Sequence, residues 1–204
     1  INAFDQPNVQ ESKDNTKRIL DEFHAKGSMT EPAITKSFAN MDITFLSGST
    51  GVQVADAIDE TLSNLFQSTR DHDYVAICAY IARNDKHIKA LDDIREEIRD
   101  VLSVATTVGF GPRFLHSTGQ LHKGGPEEAF MIQIVAHDPH DPPIPGMNVG
   151  FRTLLAAQAL GDFQSLDQRK RRGARITLKG DLAKALGELG IAVGNGLSLD
   201  PVRD

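Results

Sequence analysis

Two rhythms of apolar residues alternate along the chain. Residues 74–81 form a nearly unbroken apolar run with Val75, Ile77 and Ile81, and residues 130–136 form another. Such runs suit strands buried on both faces. Between them the spacing changes to three and four. Ile88, Leu91, Ile94, Ile98, Val101 and Leu102 make one stripe with charges opposite, which predicts an amphipathic helix. Val54, Ala55, Ile58, Leu62, Leu65 and Phe66 predict a second helix, and Leu154, Leu155, Ala159, Leu160 and Phe163 a third. Shorter β-type segments at 43–46, 104–108 and 174–178 and a closing helix over 181–189 complete the series. Strand and helix thus alternate at least four times. That pattern predicts an α/β fold, a three-layer sandwich whose mostly parallel sheet carries helices on both faces. In such sheets ligands bind beyond the carboxyl ends of the strands.

The first 41 residues differ. Pro7 suits the first turn of a helix, but Val9, Ile19, Leu20 and Phe23 give that helix only a thin apolar face. It is expected to pack poorly on the rest or to reach a partner chain. Gly27-Ser-Met-Thr-Glu-Pro interrupts the pattern, so residues 26–41 read as a linker. The expected organisation is an N-terminal arm and linker over 1–41 and an α/β domain over 42–204.

Composition narrows the possibilities. The 204 residues, 40% hydrophobic and 25% charged, are those of an ordinary globular protein. A net charge of −6 gives no overall positive field and argues against nucleic-acid binding. No apolar stretch is long enough to span a bilayer, so a membrane partner is not expected. The single cysteine, Cys78, lies in an apolar run and fits a reducing cytoplasm. The opening Ile1-Asn-Ala-Phe-Asp reads like the middle of a longer chain.

The candidate chemistry gathers in residues 109–125, Gly-Phe-Gly-Pro-Arg-Phe-Leu-His-Ser-Thr-Gly-Gln-Leu-His-Lys-Gly-Gly. A β-branched run, read as the central strand, leads into it, and glycines at both ends let the backbone approach a ligand closely. Between them Arg113, His116, Ser117, Thr118, Gln120, His122 and Lys123 place seven polar side chains within eleven positions. His116 can exchange protons near neutral pH, with a hydrogen-bonded structural histidine as the alternative. Arg113 and Lys123 can neutralise a phosphorylated ligand.

Other features carry less. Ser47-Gly-Ser-Thr-Gly51 ahead of a helix could cradle a phosphate, but it lacks a Walker lysine and reads foremost as a turn. His122, His137 and His140 with Asp138 and Asp141 match no zinc signature, so no metal site is expected. The run Arg169-Lys-Arg-Arg172 reads as a solvated helix end.

Two stretches resemble phosphoglucose isomerases. Phe114-Leu-His-Ser-Thr-Gly-Gln120 is similar to the family's Leu-His-Ser-Met-Gly-Gln element, and Phe4-Asp-Gln-Pro-Asn-Val-Gln-Glu-Ser-Lys13 to its Phe-Asp-Gln-(Trp/Pro)-Gly-Val-Glu-x-x-Lys element. The fuller wording of residues 109–125 resembles the C-terminal portion of bifunctional transaldolase/glucose-6-phosphate isomerase fusions. The resemblance implies His116 and Lys13 as catalytic residues, with Arg113, Ser117, Thr118, Gln120 and Lys123 binding a sugar phosphate. It implies aldose–ketose isomerisation through an enediol without cofactor or metal. Its implied partners are an upstream isomerase subdomain and a transaldolase domain of the same polypeptide, and it is compatible with a homo-oligomer.

Two departures accompany it. The family's histidine element precedes its lysine element, whereas Lys13 precedes His116 here. The family's catalytic glutamate lies in a Gly-Glu-Ser-x-Gly-Lys element that is absent from these residues. The chain alone is therefore expected to be poorly active, and a non-catalytic sugar-phosphate-binding module is the alternative.

Overall fold

Residues 7–115, 117–136 and 140–199 are described by a computed structural model. The elements run α1 (Pro7–Lys26), β1 (Lys36–Ser37), β2 (Met41–Phe45), α2 (Ile58–Gln67), β3 (Tyr74–Tyr80), α3 (Asp85–Leu102) and β4 (Ala105–Phe110). They continue with α4 (Ser117–Gly124), β5 (Ala129–Ala136), α5 (Phe151–Gln168), β6 (Arg172–Leu178) and α6 (Leu182–Ser198). Among the described residues six strands form one sheet in the order β1-β2-β6-β5-β3-β4. The four strands β6, β5, β3 and β4 are parallel, while β1 and β2 add antiparallel to the β6 side.

The two long apolar runs, β3 and β5, sit side by side in the middle because both their faces must be covered. Val75, Ile77, Ile132, Ile134 and Ile176 meet Leu62, Phe66, Leu91, Ile94, Leu186 and Leu189 from α2, α3 and α6 on one face. Cys78, Tyr80, Met131 and Val135 meet Ala159, Phe163 and Leu166 of α5 on the other. The chain leaves β3 toward β4 on one side and leaves β5 toward β6 on the other. The crevice between the carboxyl ends of β3 and β5 is therefore the topological switch point.

Local signals set several boundaries. Asn84 accepts a hydrogen bond from the His87 amide at 2.9 Å and starts α3, and Ser103 ends it in the left-handed conformation. Asp181 caps α6 through the Lys184 amide at 2.8 Å. The helix expected from residue 54 begins only at Ile58, with Val54 41% exposed, because Thr61 binds back to the Ala55 and Ala57 carbonyls ahead of it. The closing helix runs nine residues past its expected end at 189, carried by Ala192, Val193 and Leu197 in the core. Gly173, at φ 126°, lets β6 approach β5 so closely that an added Cβ would stand 1.8 Å from the Met131 carbonyl oxygen.

Three expectations are corrected. First, the strand leading into the polar stretch, β4, is an edge strand and not a central one. Second, the N-terminal helix does not stand off. Ile19 is buried with Ala157 and Leu160, Asn15 bonds Ser165 at 3.1 Å, and Arg169 clamps Glu11. Burying Ile19 is worth about 2–3 kcal/mol, more than the half-exposed ion pair at about 1 kcal/mol or less. One well-placed apolar residue outweighs the thin stripe, and the expected linker itself contains β1 and the first residue of β2. Third, the basic run is a solvated helix end only up to Lys170, which is exposed after the α5 C-cap Arg169, while Arg171 and Arg172 are buried. Arg171 donates to the carbonyls of Lys123, Gly125 and Pro126 at 2.6–2.8 Å. Arg172 grips Asp73 through two bonds at 2.5 and 2.7 Å and adds the Ser68 and Glu127 carbonyls. Both guanidinium groups are buried where the chain enters β3, β5 and β6.

Removing one partner of such a pair strands the other charge. Asp73→Ala is expected to cost about 3–5 kcal/mol in urea unfolding, and clearly less in an Arg172→Met background.

Candidate functional site

The polar stretch hangs from the carboxyl end of β4. Gly111 passes so close to Tyr80 that a Cβ there would lie 2.4 Å from its ring, so a side chain would push the turn off β3. Phe114 then turns inward and meets Tyr80 edge-on at 5.5 Å. With Phe114 anchored in a single 3-10 turn, Arg113–Leu115, the guanidinium of Arg113 is left exposed. Ser117 opens α4, Thr118 is exposed on it, and Gln120 is buried with its Oε1 unpaired. His116, the foremost sequence candidate, lies outside the described residues.

Lys123 is not a surface cation. It is 2% exposed, pairs with Asp162 of α5 at 2.5 Å, and donates to Ser12 Oγ of α1 at 2.7 Å. It therefore ties three helices together and is not free for a ligand. Beside it, His122 is buried and hydrogen-bonded through Nδ1 to the Tyr74 hydroxyl at 2.9 Å. Burial pulls the His122 pKa down to about 4, against the raising effect of Asp162, and pushes the Tyr74 hydroxyl up to about 12.

Lys13 is exposed on α1 and faces a cavity of about 500 Å³. Ser12, Lys13, Thr16, Lys17 and Leu20 line it from α1, Pro112, Arg113 and Leu115 from the turn after β4, and Gln158 from α5. The two motif-bearing segments, a hundred residues apart in sequence, share one cavity despite their inverted order. Among the described residues its lining holds Lys13, Lys17 and Arg113 and no acidic side chain. Lys17 was missed from sequence, although it stands one helical turn after Lys13 on the same face. Asp162 was missed too; its signal is a lone acid within the apolar face of α5.

The remaining candidates resolve differently. The 47–51 loop does not open a helix. The Ser47 amide and hydroxyl bond Asp167, and Ser49 exchanges hydrogen bonds with Gly173 at 2.7 and 3.0 Å. These bonds use the loop's polar groups to splice β2 to β6. Of the histidine and aspartate set, His137 and Asp138 lie outside the described residues, and no metal-holding cluster occurs among the described ones. No helix of the described residues is long and apolar enough to cross a membrane.

No protein-family model matches the chain. No curated protein matches it either. Among solved structures, that of a hypothetical protein from Thermus thermophilus is similar, with a TM-score of 0.59 at 16% identity. The match covers 68% of this chain and 38% of that one, so the chain spans well under half of its neighbour's length. At that identity the likeness shows the α/β fold alone.

His122 yields a test of the site's interior. Its folded pKa lies below the unfolded value of 6.5, so the unfolded state binds more protons between about pH 4 and 6.5. Stability contributed by neutral His122 is complete above that window and lost as pH falls through it, by up to roughly 3 kcal/mol. Urea melts from pH 7.5 to 4 are expected to show this loss, with a shallower slope in His122→Gln. NMR titration is expected to leave the ring of His122 neutral at pH 5.5.

Proposed function

We propose that this chain is the C-terminal portion of a glucose-6-phosphate isomerase, joined in the full polypeptide to a transaldolase. It would interconvert glucose 6-phosphate and fructose 6-phosphate together with an upstream isomerase subdomain. The observation that carries this reading is the shared cavity: Lys13 from one resembling element and Arg113 beside the other line the same walls. Its volume lies in the range of small-molecule sites, and its three cations suit a phosphorylated sugar.

In this reading His116 moves the proton that opens the sugar ring, and the Lys13 ammonium stabilises negative charge developing on the sugar oxygens. Arg113 and Lys17 hold the anion, with Ser117 at the start of α4 as a further polar contact, whereas Thr118 and Gln120 do not line the cavity. Lys123 acts from behind, by fixing α1 against α4 and α5. The carboxylate that shuttles a proton between C1 and C2 comes from outside these residues. The buried Cys78 fits a cytoplasmic setting.

The missing glutamate element favours one rival, a sugar-phosphate-binding module without catalysis. The full polypeptide decides between them, assayed for glucose 6-phosphate formed from fructose 6-phosphate. His116→Ala and Lys13→Ala are each expected to lower kcat about 10²–10⁴-fold with unchanged circular dichroism. Near-wild-type turnover in both variants, with fructose 6-phosphate still shifting the amides of residues 13, 17 and 113, leaves the binding module. No turnover in the wild type and no such shifts reject both.

A further inference from the structure

A second cavity, of about 270 Å³, opens at the topological switch point. Tyr80 lines it from the end of β3, Val135 and Ala136 from the end of β5, and Arg175 from β6. The segment after α1 roofs it with Met29 and Glu31. None of the residues lining the Lys13 cavity lines this one.

The sheet interior around Arg175 is unusual. Thr44, Arg175, Gln133 and Cys78 are register neighbours and form a polar row across four strands beneath α5. Gln133 donates to the Ala159 carbonyl at 2.9 Å, and the Arg175 guanidinium lies 5.9 Å from the Phe163 ring centroid. Arg175 is 3% exposed and makes one side-chain ion pair, Nη2 to Glu31 at 3.0 Å. Its Nη1 is buried and unpaired, and so is the Tyr80 hydroxyl. Asp162 stands near that hydroxyl with its own Oδ2 buried and unpaired; after burial itself it is the main cause of the raised phenol pKa. The phenol thus has a buried acceptor beside it, whereas Arg175 Nη1, on a residue of the cavity wall, has none. Buried donors left unpaired are uncommon and costly, so a group that supplies acceptors to them gains more than an ordinary hydrogen bond.

The wall's other charges fit this demand. Asp141 is engaged: its carboxylate accepts from the Arg152 and Thr153 amides at the start of α5 and from the Thr153 hydroxyl at 2.5 Å. Arg152 adds a second cation to the wall. Glu31 is the movable member, with a side chain 44% exposed on a segment without regular secondary structure. Arg175, held within β6, cannot follow it out.

We propose that the switch-point cavity is a separate binding site for a small anion, a carboxylate or phosphate monoester of about three or four carbons. An anionic oxygen takes Arg175 Nη1, and Glu31 competes for the same guanidinium from the rim. The volume holds a ligand of that size and excludes much larger ones. The assignment does not rest on the isomerase reading.

Glycerate, glycerol 3-phosphate and inorganic phosphate are the probes, each titrated into the protein with amide and side-chain NMR as the readout. Shifts are expected at residues 31, 80 and 175 and not at 13, 17 and 113. Glu31→Gln removes the competing charge at a partly exposed position and is expected to tighten binding roughly tenfold. Arg175→Met is expected to abolish it, while Lys13→Ala leaves it unchanged. If Arg175→Met fails to fold, the Glu31→Gln comparison decides alone. Tighter binding of glycerate than of glycerol 3-phosphate marks the ligand as a carboxylate, and the reverse order marks a phosphate ester. The proposal is overturned if no probe moves these residues at about 10 mM in wild type or Glu31→Gln. It is equally overturned if the shifts fall on the Lys13 cavity.

Discussion

The contact on which the arrangement of the site depends is the buried pair Lys123–Asp162 with its third member, Ser12. Two opposite charges out of water are stable only in good geometry, and each further hydrogen bond to them adds to it; Asp162 Oδ2 is left without one. Here the ammonium reaches α5 and α1 at once, at 2.5 and 2.7 Å. That requirement sets where α1 crosses α5, because any slide of α1 by one residue takes Ser12 away from a charge that cannot be left alone. Lys13 follows Ser12 directly and inherits its position on the cavity wall. An interaction buried beneath the surface thus decides which cations face a ligand.

The same demand for pairing explains what was legible in the chain and what was not. β3, β5 and α3 could be read directly, since their burial is periodic and each of them packs by its own pattern. β4 was readable as a strand but not as an edge, because edge or centre depends on which neighbour returns beside it. The arginine run misled for a physical reason. A charged stretch is solvated unless carbonyls and a carboxylate from remote segments converge on it, and Asp73, Ser68, Pro126 and Glu127 are remote from Arg171 and Arg172. Local sequence carries no mark of that convergence. α1 looked unanchored because one buried isoleucine, Ile19, and polar contacts to α5 do what a full apolar stripe usually does.

For the candidate site the legible part was the chemistry and the illegible part was the depth. Arg113 and Lys13 emerged from motif and residue type, and they do line one cavity. Lys123 had the same residue type and the opposite fate, since α4 turns it inward toward Asp162 while Thr118 on the same short helix faces solvent. Gln120 also turns inward. A helix of eight residues offers both faces, and only the packing of α5 and α1 decides which of its polar side chains are covered.

Tyr80 packs between the turn after β4 and the switch-point cavity. On one side its ring receives Gly111 and the edge of Phe114, which hold the turn that presents Arg113; on the other it lines the switch-point cavity. Only glycine fits at 111, since an added Cβ would stand 2.4 Å from that ring. The seating of this one ring, at the end of a central strand, therefore helps to set both the turn that presents Arg113 and one wall of the switch-point cavity.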